Sequence, residues 1–76
     1  MNAERRKQID KARALLEEAK EILEACQSDE QDYFDNMPEN MQGGDKGQAA
    51  EAAADALGEA VNSCEEALSN LDTATE

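Results

Sequence analysis

Met37-Pro38-Glu39-Asn40-Met41-Gln42-Gly43-Gly44 separates two long stretches of helical periodicity and decides the fold. Proline pushes Met37 out of helical geometry, so the first helix must stop there. A proline that opens a short helical turn, followed by a glycine pair that closes it, marks a structured corner rather than a slack loop. Asp45 follows with Gln48 three residues on, the pattern of a capping box for the next helix.

Upstream of this corner, Ile9, Ala12, Leu16, Ala19, Leu23, Cys26, Glu30, Tyr33 and Met37 alternate in steps of three and four, the spacing of a heptad seam. Leu15 and Ile22 widen the apolar stripe, as expected for a helix that meets more than one neighbour. Glu30 interrupts the seam, so its side chain is either exposed near the helix end, the favoured reading, or specifically paired. Downstream, Ala50, Ala53, Leu57, Ala60, Cys64, Ala67 and Leu71 repeat the spacing, with Ala54, Val61 and Leu68 alongside. The alanines favour helix and allow a neighbouring backbone to come close; Gly58 is a weak spot or a close-contact point.

The sequence therefore predicts an all-α, antiparallel, coiled-coil-like two-helix hairpin in a single domain: helix one over about 3–36, turn over about 37–45, helix two over about 46–71, frayed tail over 72–76. A chain of 76 residues with one Tyr, one Phe and no Trp has little apolar area to bury. Pairing two hairpins into a four-helix bundle would roughly double it, so a homodimer is expected.

Cys26 and Cys64 both fall on the apolar stripes and read as small buried hydrophobes. In a hairpin turning over these residues, facing positions have numbers adding to about 85, and the two cysteines miss that register by about five residues, roughly 7 Å along the axis. That argues against a disulfide unless the turn is asymmetric. No run of about 18 apolar residues is present, and no apolar stretch follows a basic start, so the expected location is the cytosol, away from membranes.

Chemistry-bearing motifs are scarce. Without histidine there is no Glu-x-x-His metal site, and two distant cysteines do not make a zinc site. Gly43-Gly44-Asp45-Lys46-Gly47 lacks the spacing of a phosphate loop, and Asp29, Gln31 and Tyr33 do not alternate oxygen ligands as a calcium loop requires. Carboxylates abound, but nothing encloses them to shift their protonation as acid–base catalysis needs. Neither an enzyme nor a bound cofactor or metal is expected.

Charge is the informative feature. Residues 1–27 hold six basic and six acidic side chains; residues 28–76 hold thirteen acids against Lys46 alone, so the net charge of −12 belongs to the turn and helix two. Antiparallel pairing sets the basic start of helix one beside Glu65, Glu66 and Asp72. The turn end has no such counterweight. Asp29, Glu30, Asp32, Asp35, Glu39 and Asp45 gather there around Phe34 and Met41, forming a plausible docking surface for a basic protein. Tyr33 belongs to the seam, leaving the adjacent Phe34 as the surface residue. The competing reading is that these acids serve only solubility.

The tract from Ser28 to Gly43, with Asp29-Glu30-Gln31-Asp32 running into Asn36-Met37-Pro38-Glu39-Asn40 and Gln42-Gly43, resembles a family of small acidic helical proteins encoded in bacteriophages and prophages. The likeness extends over the basic-bearing first helix and the Glu/Ala/Leu second helix. It implies a phage origin and carries no activity with it.

Three functional expectations follow. The first is a phage accessory protein that inhibits or modulates a basic host protein handling nucleic acid, its carboxylates competing for phosphate sites in the host cytosol. The second is a self-assembling bundle whose packing seam uses Ile9, Leu16, Leu23, Cys26, Tyr33, Leu57, Val61, Cys64, Leu68 and Leu71. The third is an oligomer holding a small nucleotide or signalling anion through Arg5, Arg6, Lys7, Lys11 and Arg13. Direct binding to DNA or RNA is disfavoured by the net charge.

Overall fold

The computed structural model describes residues 1–76 as three helices: α1 Ala3–Asp35, α2 Glu39–Gln42 and α3 Asp45–Ala74. The long helices, of 33 and 30 residues, lie side by side in a rod of 58 × 15 × 14 Å. Asn2 caps α1, its Oδ1 accepting from the Arg5 N–H at 2.8 Å. Pro38 opens the single turn of α2, and Gly43 closes it. Gln42 fixes the corner, its Nε2 donating to the carbonyls of Phe34 (3.2 Å) and Met37 (3.3 Å); the Phe34 carbonyl also accepts from the Met37 N–H at 3.1 Å.

The start of α3 differs from the expected capping box. Gly44 is the cap residue, in extended geometry with no side-chain hydrogen bond, and Asp45 is already inside the helix. Gln48 reaches back, but as a donor, from Nε2 to the Gly43 carbonyl at 3.0 Å. The two glycines move the cap one residue upstream, because extended backbone at Gly44 needs no side chain to support it.

Along α1 the half-buried positions are Ile9, Arg13, Leu16, Lys20, Leu23, Gln27, Glu30, Phe34 and Met37, with Ala19 beside them. Six match the expected seam, Ile9, Leu16, Ala19, Leu23, Glu30 and Met37. Its other members give way by one residue: Ala12, Cys26 and Tyr33 are exposed, and their places are taken by Arg13, Gln27 and Phe34. The expectations for Cys26 as a buried hydrophobe, for Tyr33 in the seam, for Phe34 at the surface and for Glu30 as exposed are thereby corrected. The physical cause is the row one step round from Ala12, Cys26 and Tyr33. Arg13 and Lys20 can lay their methylenes over the contact while their charged ends reach acids on α3.

That row makes a ladder. Arg13 pairs with Asp72, Lys20 Nζ lies 3.5 Å from Glu65 Oε1, and Gln27 lies over Gly58, where an added Cβ would sit 2.8 Å from Nε2. Each step moves seven residues up α1 and seven down α3, so the helices are antiparallel in the register counted from the turn. Gly58 is the close-contact point that admits Gln27.

On α3 the inward rows are Gly47, Ala50, Ala54, Leu57, Val61, Cys64, Leu68 and Leu71, followed by Thr75 just past its end, and Ala53, Ala60 and Ala67 are half-buried along one edge, so every apolar residue expected on the stripe of helix two is buried or half-buried. Gly47, Ala50, Ala54 and Val61 are buried, while α1 buries none of its residues. The end of α3 is not the frayed tail that was expected. The helix continues to Ala74, Asp72 is held by Arg13, and the Thr75 hydroxyl donates to the Leu71 carbonyl at 2.9 Å.

Gly47 is required by space: an added Cβ would overlap the Gln42 backbone carbonyl. Gly47→Ala should therefore force the corner open and cost about 1–3 kcal/mol, lowering the melting temperature by more than about 4 °C in thermal unfolding followed by circular dichroism. Gly58→Ala meets only the movable end of Gln27. It should raise the melting temperature in the same assay, through a gain in helix propensity of up to about 1 kcal/mol.

Candidate functional site: the acidic turn end

The acids of the turn end are set out by three helix termini. Asp29, Glu30, Asp32 and Asp35 occupy the last turns of α1, Glu39 starts α2 and Asp45 starts α3. All are exposed except Glu30, which is half-buried on the face toward α3. Among them stand Tyr33, 52 % exposed, and Met41, 47 % exposed. Phe34 is half-buried and forms part of the floor rather than the surface.

Charge pairing lies outside the turn end. Of the two ion pairs, Arg13–Asp72 joins the first half of α1 to the end of α3 and Lys20–Glu65 lies near the middle of the rod; no acid of the turn end has a cationic partner. Gln31 Nε2 donates to Asp35 Oδ1 at 3.0 Å, which leaves the charge uncancelled. Helix dipoles divide these acids into two groups. Glu39 and Asp45 sit at helix starts, where a negative charge is favourable. Asp32 and Asp35 sit in the last turn of α1, where the carbonyl end repels them and no basic residue offsets it. Their placement is a local cost to the fold, of the order of 0.3–1 kcal/mol each.

The basic cluster of α1 does not converge on one point. Arg6 Nη1 donates to the Thr75 carbonyl at 2.8 Å, and Arg13 engages Asp72 and the Thr75 hydroxyl, so both are spent on fastening the end of α3. Arg5, Lys7 and Lys11 remain exposed and without ion pairs.

No group of three or more potential metal ligands comes together, and both cysteines are free, Cys26 exposed and Cys64 half-buried. The broadest surface groove, lined by Gln27, Asp55, Gly58, Glu59 and Asn62, is open to solvent. No helix is long and apolar enough to cross a membrane.

Sequence reasoning found the acids and missed the residues that hold them in place. Gln42 bonds two carbonyls at the end of α1, a role for which its position before Gly43 and four residues after Pro38 was the available signal. Set beside known proteins, the chain matches no protein-family model, no curated protein and no solved structure.

Proposed function

We propose that the chain is a non-catalytic interaction protein whose acidic turn end docks on a basic protein that handles nucleic acid, filling a surface built for phosphates and so inhibiting or modulating it. The observation that carries this reading is the absence of any cationic partner for the turn-end acids, the two ion pairs lying toward the terminal end and near the middle of the rod. Asp32 and Asp35 add to it, because they sit against the negative end of α1 and gain nothing locally for doing so. Exposed Tyr33 and Met41 supply the apolar contacts that a purely electrostatic surface would lack. The resemblance of the Ser28–Gly43 tract to phage-encoded proteins gives a setting, the cytosol of a bacterial host.

Self-association is the second reading, and a separate observation favours it. Helix α1 buries no residue, although it carries apolar side chains well beyond those facing α3. A hairpin of this kind completes its core by pairing with another copy as a four-helix bundle.

The docking reading is tested by affinity capture from bacterial lysate with elution by a salt gradient and, separately, by a DNA oligonucleotide. Wild-type chain should retain a nucleic-acid-binding protein that both eluents release. The triple variant Asp32→Asn, Asp35→Asn, Glu39→Gln should lose it, with a melting temperature equal to or above wild type. Retention that ignores salt, DNA and the triple variant alike would rule out the proposal. Leu23→Asp is the contrasting control: it places a charge in the helix contact and should abolish helicity and binding together.

A further inference from the structure

Three of the five large apolar side chains left exposed, Leu15 (57 %), Ile22 (57 %) and Tyr33 (52 %), fall on one line along α1; Met1 precedes that helix and Met41 lies in α2. The line runs Arg5, Gln8, Ala12, Leu15, Ala19, Ile22, Cys26, Asp29, Tyr33, in unbroken steps of three and four, which is a second heptad seam beside the one that faces α3. It is also self-complementary when reversed. Laid antiparallel on a second copy, with its midpoint between Leu15 and Ala19, Leu15 meets Ala19 and Ile22 meets Ala12, large against small. Arg5 meets Asp29, the two charged members of the line.

Extending the self-association reading above, on which it rests, we infer that this line is the dimer seam and that two hairpins pair through antiparallel α1 helices. Orientation follows from charge. In the antiparallel arrangement the basic start of each α1, with Arg5, Lys7 and Lys11, runs beside the acidic second half of the other; a parallel one sets acid against acid and base against base. The hairpin also offers a flat approach on that side. The Arg13–Asp72 and Lys20–Glu65 ladder forms one edge of the α1–α3 contact, and the seam lies on the other edge, where α3 contributes only the small side chains Ala53, Ala60 and Ala67. A contact along about 45 Å of helix buries on the order of 1,000 Å² in total, the lower bound for a stable specific interface.

Sedimentation at micromolar concentration, with circular dichroism as a check on helicity, tests the seam through a charge swap. Wild type should be a dimer. Arg5→Asp and Asp29→Arg should each weaken it about tenfold, and the two together should restore it to within about threefold of wild type. Orientation is read by mild oxidation in a Cys64→Ser background. Adding Gln8→Cys should give a disulfide-linked dimer with the partner's Cys26, and the background alone should give none. A wild-type dimer that ignores the swap, or that cross-links through Cys26 alone, overturns the seam or its orientation while leaving self-association standing. A wild-type monomer at every concentration up to about 100 μM overturns both.

Discussion

Two cylinders laid side by side touch along a line, and that geometric limit governs the whole molecule. However apolar its faces, a two-helix hairpin can bury only the rows that meet along the contact, so burial here reaches only Gly47 and three small or medium side chains, Ala50, Ala54 and Val61. All four lie on α3, where thin side chains bring the backbone of α1 close and place it over them. Helix α1 covers without being covered. The ladder of Arg13, Lys20 and Gln27 is a response to the same limit: where apolar rows are few, long polar side chains contribute by bridging the edges, and the small residue at Gly58 makes room for one of them.

The fold was legible because its decisive signals are local and mutually consistent. Pro38 and the Gly43–Gly44 pair fix the corner, and heptad spacing on either side fixes the two helices and their antiparallel register. The face of α1 was harder to read. Ile9, Leu16, Leu23, Glu30 and Met37 belong equally to a row through Ala12, Cys26 and Tyr33 and to one through Arg13, Gln27 and Phe34. Hydrophobicity favours the first, yet the helix beside α1 selects the second, because α3 carries Asp72 and Glu65 at the height of Arg13 and Lys20. A pattern read from one helix does not contain the charges of the other. The same omission misplaced Phe34 and Tyr33, which exchange inside for outside with that one-residue step.

Of the candidate site, the sequence yielded the acids and their imbalance but not their energetic standing. The positions of Asp32 and Asp35 in the last turn of α1, and of Glu39 and Asp45 at helix starts, depend on where the helices begin and end to within a residue. Only then does a cluster of like charges divide into members that the backbone favours and members that it opposes. The expected cap at Asp45 shows how easily that boundary shifts, since the glycine pair moved it to Gly44.

The corner also bears on the order of events in folding. Its closure brings Phe34, Met37 and Gln42 together across only a few residues, so the entropy of forming it is small. Each further contact between α1 and α3 then closes a loop that the previous contact has already shortened, and the hairpin zips outward from Gly47 toward the Arg13–Asp72 rung. A chain built this way folds through short steps in sequence and belongs among the fast folders, with its termini fastened last.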